Sequence, residues 1–399
     1  MQSIQTVSEN TIYVGASDRR LAKFENLFPI PRGVSYNAYV ILDEKTALLD
    51  TADASVGAQF LENVAAALDG RKLDYLIVDH MEPDHAAMIE AVLVRWPDLR
   101  LVVNAKTLPM LKMYFPTDSA AFDDALVVKE GDTLDLGKHK LTFVMAPMVH
   151  WPEVMMTFDT TTGTLFSADA FGTFGALEGA LFADEVDFAG KWLDDARRYY
   201  ANIVGKYGVQ VQAVLKKAAG LDIETICSLH GPILHKEQLA DVLAAYDTWS
   251  AYRPETDGIL VAYTSIYGHT ADAAEQLAEE LRTKGQQVVV MDLARCDMAE
   301  AVAQAFRFSK LVLATPTYNG DVFPFTKTFI EHLTERNYQN RTVALMENGS
   351  WAPTAARVMR KMFEASKNLT ILDETVTVKG SLDDASTAQL HALVDALSK

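Results

Sequence analysis

Cysteine is scarce: only Cys227 and Cys296 occur in 399 residues. Two distant cysteines make no disulfide framework and fit a reducing, cytoplasmic setting. Long apolar runs are missing as well. No stretch of eighteen apolar residues occurs, so no membrane-spanning helix is expected. The opening "MQSIQTVSEN" has neither a basic n-region nor an apolar h-region, so no signal peptide is read there. Positive charge is short, with 36 Lys and Arg against 54 Asp and Glu and a net charge of -18. Such a surface disfavours nucleic acid and anionic membranes, and neither is expected as a partner. Internal repeats and low-complexity tracts are also lacking. What remains is a chain that is 49% apolar, enough for two or three cores.

The texture changes once along the chain. "WSAYRPETDG" (249–258) places Pro254 and Gly258 among polar residues after a helix-like segment, Glu237–Tyr246. The expected domains are 1–252 and 256–399. In the second, the short apolar runs "GILVAY", "VVVMD", "LVLAT" and "TVALM" alternate with helix-length segments. Ala274, Leu277, Ala278 and Leu281 recur at i, i+3, i+4 and i+7, so Thr270–Lys284 reads as an amphipathic helix ended by Gly285. That alternation predicts a doubly wound parallel sheet. In the first part, "AYVIL", "TALLD", "LIVD", "LVV", "LTFVM" and "MMTF" come at mixed spacing, with helical stretches such as Val56–Leu68 between them. Asp43–Lys45 and "TTTG" (160–163) are short enough for hairpins. The expectation is an α+β, αββα-layered domain with mixed sheets.

The densest chemistry lies in "HMEPDH". His80, Glu82 and Asp84 alternate, and His85 follows directly. Any two of these residues are well explained as a solvated turn after a buried strand, but four exceed that reading. His150 follows "LTFVMAPMV", Asp169 follows "GTLFSA", and His230 follows "ETICSL". Each is a lone polar side chain where an apolar strand gives way to a loop. Singly, each is better read as a structural histidine or a capping aspartate. Together they supply the ligands of a binuclear site.

The pattern H-x-[EH]-x-D-H, then a His, an Asp and a final His-Gly-Pro, resembles the metallo-β-lactamase fold. Hydrolytic members of that fold read H-x-H-x-D-H and bind zinc. Glu82 stands where their second His would be, which is the pattern of the flavodiiron proteins. A carboxylate is a harder donor than imidazole and suits iron that changes oxidation state. The resemblance implies that His80, Glu82 and His150 hold one iron, that Asp84 and His230 hold the other, and that Asp169 bridges. By the same resemblance His85 either binds iron or turns away. The segment 171–185, "FGTFGALEGALFADE", resembles the stretch after the family's bridging aspartate. His235 has no slot in the motif and reads as surface or as a residue behind the ligands.

"YTSIYGHT" (263–270) joins the first strand and first helix of the second domain. Its hydroxyls, Gly268 and the helix N-terminus can cradle a phosphate with backbone N–H groups. It lacks the Gly-Lys pair of a Walker A loop and the G-x-G-x-x-G of a dinucleotide site. Alone it is as well read as an ordinary turn. "TPTYNGDVFP" (315–324) and "ENGSWAP" (347–353) follow two further strands, where open α/β sheets bind ligands. Tyr318 and Trp351 offer flat faces for an isoalloxazine, although Trp351 reads equally as an interface residue. The three loops resemble flavodoxin, with Tyr267 and His269 departing from its common T-G-x-T-G-N-T form. The residues expected around FMN are Thr264, Ser265, Ile266, Tyr267, Gly268, His269 and Thr270, then Pro316, Thr317, Tyr318, Asn319 and Gly320, then Asn348, Gly349, Ser350 and Trp351.

A lactamase-like domain followed by a flavodoxin-like one is the flavodiiron order. The resemblance implies FMN, two non-haem irons, and reduction of dioxygen to water or of nitric oxide to nitrous oxide. It also implies a homodimer, or a dimer of dimers, in which the flavin of one chain serves the irons of the other. No C-x-x-C pair occurs, so the electron donor is expected to be separate, a rubredoxin or a reductase. Two rival readings stay open. One is a zinc hydrolase fused to a flavodoxin-like module, and the other an electron carrier whose metal domain is structural.

Overall fold

The computed structural model describes residues 3–116 and 120–399. They group into two compact units. One comprises Met1–Tyr200 and Val209–Asp247, the other Ala201–Gly208 and Thr248–Lys399.

The first unit is built on two mixed sheets. The larger runs β1 (Gln5–Ser8), β2 (Thr11–Tyr13), β3 (Tyr39–Leu42), β4 (Thr46–Leu49), β5 (Tyr75–Ile77), β6 (Arg100–Asn104) and β7 (Leu126–Val128), in that spatial order. Its first four strands pair antiparallel, and β4 to β7 pair parallel. The second sheet runs β8 (Thr133–Asp135), β9 (Lys140–Met145), β10 (Met155–Asp159), β11 (Thr164–Phe166), β12 (Thr225–Cys227) and β13 (Leu234–His235). All its neighbours are antiparallel except β11 and β12.

Alternation explains the packing. Tyr39 and Ile41, Ala47 and Leu49, Ile77 and Val102 of one sheet share a buried cluster with Leu141, Phe143, Met155, Phe166 and Cys227 of the other. The intervening Val40, Leu48 and Leu76 are buried on the opposite face, on the side of helix α1 (Gly57–Leu68), which buries Phe60, Val64 and Leu68. Each strand is therefore covered on both faces, which is why "ALL" (47–49) is apolar without a break.

The second unit holds a sheet whose main path is β14 (Thr256–Tyr263), β15 (Val288–Asp292), β16 (Phe308–Tyr318), β17 (Arg341–Asn348) and β18 (Leu369–Val378). Their order is β15-β14-β16-β17-β18 and these pairs are parallel, while a two-residue sixth strand, Asp321–Val322, pairs antiparallel with β16. Odd and even residues again face opposite cores. Ile259, Val261, Val312 and Ala344 pack with Ala274, Leu277 and Leu281 of α2 (His269–Thr283) and with Leu390 and Leu393 of α3 (Asp384–Leu397). Leu260, Leu311, Leu313 and Val343 pack on the other side with Val302, Phe329, Ile330 and Met359. This is the doubly wound arrangement read from the alternating runs. The strand "LVLAT" extends beyond that run at both ends, because Phe308 pairs with Thr256 of β14 and Thr317 and Tyr318 pair antiparallel with Asp321–Val322.

Candidate functional site

Four strand ends in the first unit converge. β9, β11 and β12 run the same way in their sheet, since β9 and β11 each pair antiparallel with β10 and β11 pairs parallel with β12. The chain leaving each one carries His150, Asp169 and His230 respectively. β5 of the other sheet supplies the loop 80–85. That loop is fixed from behind: Asp50 accepts hydrogen bonds from the backbone N–H of Asp79 at 2.9 Å and of His80 at 3.2 Å. Pro83 then opens a four-residue helix, Pro83–Ala86, which needs no N–H at that position. Asp84 and His85 are thereby turned inward. After β12, Gly231 has φ +81°, and a Cβ there would lie 2.0 Å from Thr173 Cγ2. Glycine at this point lets the chain turn and leaves His230 in place.

The result is two sets of buried donors, His80, Glu82, His150 and Asp169 in one and Asp84, His85 and His230 in the other. Within each set the donor atoms lie within 4.8 Å of one another. Asp169 faces both. Its Oδ2 lies 3.2 Å from His150 Nε2 and 3.5 Å from His80 Nε2, while Oδ1 lies 3.2 Å from His85 Nε2 and 3.6 Å from His230 Nε2. Asp84 Oδ2 is 3.3 Å from both His85 Nε2 and His230 Nε2, and those two nitrogens are 3.0 Å apart. All seven residues named from the sequence come together, and His85 turns in rather than away.

The donor set fits a metal pair. Both carboxylate oxygens of Asp84 and of Asp169 are buried without a well-aligned hydrogen bond among the described residues. Buried charges left so cost several kcal/mol each unless a counter-ion is present. Four imidazoles and three carboxylates with no sulfur suit a borderline first-row ion.

Electrostatics agree. Burial pushes the Glu82 carboxyl up, but hydrogen bonds from His150 and His80 outweigh it and hold it well below the usual range. Asp169 is likewise held low against burial, by the nearby His80 charge and by the His150, His80 and His85 imidazoles set close around it. For His150 burial works downward, and the Asp169 and Glu82 carboxylates overcome it, raising the imidazole to about 9.

Groups behind the ligands set their tautomers. His80 Nδ1 sits 2.8 Å from Glu153 Oε1, which also accepts from the Met81 N–H at 2.9 Å. His230 Nδ1 donates to the Ser35 carbonyl at 2.7 Å. Each bond leaves Nε2 free toward the cluster. Neither partner was named from the sequence. Glu153 follows His150 by three residues and was open to notice, whereas Ser35 is 195 positions from His230 and carries no signal. Tyr199 was also missed. Its hydroxyl is buried without a partner among the described residues and is raised well above the ordinary tyrosine value, by burial first and then by the Asp169, Glu82 and Asp84 charges. His235 stands apart, stacked on Phe182 at 4.5 Å between ring centroids.

In the second unit the carboxyl ends of the strands enclose a cleft of about 560 Å³, within the usual 300–1,000 Å³ of small-molecule sites. Its walls include Ser265, Ile266, Tyr267, His269 and Thr270, Pro316, Thr317, Asn319 and Gly320, and Asn348, Gly349, Ser350 and Trp351. Gly268 is the N-cap of the fifteen-residue α2, with φ 100°, and its N–H donates to Ser265 Oγ at 3.1 Å. No lysine, arginine or carboxylate lines the cleft, so an anion held there rests on hydroxyls and the helix N-terminus. Tyr267 and Trp351 are 89% and 92% exposed, so their faces are available to a flat ring.

Three expected contacts lie off the cleft wall. The Thr264 hydroxyl is buried against Thr315 and Thr326 at 2.8 and 2.9 Å, knitting strands to a helix. Gly268 shapes the loop without lining it, and Tyr318 packs edge-on against Phe323. Two wall residues were missed, Ala352 and Gly380. Gly380 follows β18 and is tied to Asn348 by two hydrogen bonds of 2.9 and 3.0 Å.

The sequence matches the family described as ODP family beta lactamase over residues 34–231 and the Flavodoxin family over residues 261–390. It is 31% identical over 374 residues to the anaerobic nitric oxide reductase flavorubredoxin of Klebsiella pneumoniae, covering 91% of this chain and 76% of that one. The fold matches the rubredoxin oxygen:oxidoreductase of Desulfovibrio gigas with a TM-score of 0.93 and 26% identity, over 99% of this chain and 98% of that one. It also matches the flavodiiron protein of Giardia intestinalis with a TM-score of 0.94, over 100% and 96%, and at 24% identity that likeness speaks for the fold. With a lactamase-like unit carrying a double donor set, a flavodoxin-like unit carrying a cleft, and these relatives, the chain belongs to the flavodiiron protein family.

Proposed function

We propose that this chain is an oxidoreductase that reduces dioxygen to water, nitric oxide to nitrous oxide, or both, with FMN and a non-haem diiron centre. One observation carries the reading: Asp169 turns one oxygen toward each donor set. His80, Glu82 and His150 are the ligands assigned to one iron, Asp84, His85 and His230 those assigned to the other, and Asp169 the bridge. Bound, a diferrous pair and a reduced flavin together store four electrons, the number that takes dioxygen to water without releasing peroxide. The protein's part is placement. Glu153 and Ser35 orient two imidazoles, burial excludes bulk water, and Tyr199 offers a hydroxyl beside the carboxylates. FMN is assigned to the cleft of the second unit, its phosphate at Ser265–Thr270 and its ring between Tyr267 and Trp351. Residues 1–252 then form the diiron domain and 256–399 the flavin domain.

The rival zinc hydrolase gains little support, because Glu82 replaces an imidazole and the relatives are reductases by name. A discriminating test loads the protein with iron and FMN, reduces it anaerobically, and follows consumption of each gas with one artificial reductant. Turnover of neither gas, or bound zinc together with hydrolytic activity, would overturn the reading.

The proposal includes an electron donor of the rubredoxin or reductase type and a head-to-tail homodimer, or a dimer of dimers, in which each flavin serves the partner's irons. Mixing a His150→Ala/His230→Ala chain with a flavin-free chain tests this, since crossed dimers regain a fraction of activity and uncrossed ones do not. Among the described residues no helix is long and apolar enough to cross a membrane. Cys227 and Cys296 are both free thiols, which is in keeping with a cytoplasmic protein.

A further inference from the structure

A second concavity in the first unit has no part in the reading above. It measures about 260 Å³ and lies where β6, β7 and the β9–β10 loop end. Its walls are largely apolar, formed by Ala105, Val128, Met145, Pro147, Pro152 and Val154. Lys106 and Lys129 also line it. Both are exposed, and neither has an ion-pair partner among the described residues. The nearby acids are already engaged, Glu130 by Lys217 at 2.5 Å and Asp132 by the Lys129 backbone N–H at 3.0 Å. Glu153 contributes to the wall but turns its carboxylate away, toward His80. In a chain of net charge -18, two lysines without an ion-pair partner at an apolar hollow stand out.

We propose that this hollow binds a small amphiphilic monocarboxylate, its apolar body between Val128, Met145 and Val154 and its carboxylate between Lys106 and Lys129. Size sets the class. The volume falls just under the roughly 300–1,000 Å³ of ordinary small-molecule pockets, which admits a short-chain or single-ring acid and excludes a nucleotide. Charge sets the head group. A carboxylate gains from the two exposed ammonium groups at the rim, by an amount that falls as salt is added. A neutral alcohol of the same length gains only the apolar part. Pro152 and Val154 flank Glu153, so the bound acid would share a wall with the group that orients His80.

Octanoate is the probe. Calorimetric titration of the iron- and FMN-loaded protein is expected to give one site per chain with a Kd below about 1 mM, and octanol to bind at least tenfold more weakly. Ala105→Trp, at an exposed position, fills the hollow and is expected to abolish the heat. Lys106→Glu/Lys129→Glu is expected to weaken octanoate at least tenfold and leave octanol unchanged. The wild-type comparison of acid and alcohol needs no variant, and iron and FMN content confirms that the variants are folded. No binding up to about 10 mM, equal affinity for acid and alcohol, or octanoate binding within twofold of wild type in either variant would overturn the assignment.

Discussion

The donor cluster and the cleft solve the problem of holding a cofactor in opposite ways. In the first unit the work falls on side chains: seven buried donors, of which His80, His85, Asp169 and His230 are each fully inaccessible. In the second unit it falls on the backbone. Loops leaving four parallel strands enclose space with glycines, hydroxyls and a helix N-terminus, and the most prominent side chains, Tyr267 and Trp351, stand almost wholly in solvent. A site made of side chains fails abruptly when one is changed. A site made of loop geometry fails by degrees.

That contrast predicts the largest effect at Asp169. Replacing it with alanine removes the one group that faces both donor sets. Turnover of either gas is expected to fall more than 100-fold, beyond the roughly 10–100-fold typical of losing a group behind a ligand. FMN content should be unaffected. His85→Ala is expected to do less harm, since Asp84, His230 and Asp169 still surround that position. Turnover per iron in the two variants checks the order, and equal losses would mean that Asp169 is not the bridge.

Next in size is Glu82→His, which exchanges a hard donor for a softer one at nearly constant geometry. Protein produced in medium with iron and zinc should then carry a clear excess of zinc, with the cleft still flavin-loaded. Metal analysis decides, and unchanged iron with full activity would show that selection lies elsewhere.

The third prediction uses pH. In the metal-free cluster His150 keeps its proton up to about 9, because the Asp169 and Glu82 carboxylates outweigh burial. A metal must displace that proton, so apparent iron(II) affinity should rise as pH increases toward 9, by up to about tenfold per unit for each proton released. Anaerobic titrations at two pH values below 9 test this. Proton release in weak buffer gives a second measure.

The smallest effect is expected in the cleft. Trp351→Ala or Tyr267→Ala should weaken FMN by about threefold to tenfold, in line with roughly 0.5–1.5 kcal/mol for an aromatic stack. Iron content should not change. Loss of FMN altogether would mean that the cleft depends on single side chains as the cluster does.

The two sites also differed in how far the sequence revealed them. All seven donors could be named without coordinates because together they resemble the flavodiiron pattern, although His150, Asp169 and His230 each read singly as structural. The flavin loops could be located, because strand ends are where parallel sheets bind ligands, but not resolved residue by residue. Thr264 shares the motif yet spends its hydroxyl on Thr315 and Thr326, and Gly380 reaches the cleft from a strand whose polar residues hide it. Short apolar runs revealed the central strands of the sheets, since strands covered on two faces leave an almost unbroken apolar record, whereas the more polar β18 left none. Orientation of the ligand rings was illegible for a simpler reason. Ser35 acts through its carbonyl, which every residue has, at a sequence distance that no local pattern spans.

His80, Glu82, Asp84 and His85 come from one sheet of the first unit, and His150, Asp169 and His230 from the other. Any ion shared between them is a rivet through the sandwich. It joins residues far apart in the chain, so filling it locks the two layers together much as a cross-link would, in a protein whose cysteines form none. Metallation then becomes a step in maturation. A newly made chain without its ions holds three carboxylates and four imidazoles crowded at the seam between its layers, and that seam is where it should first open to a protease.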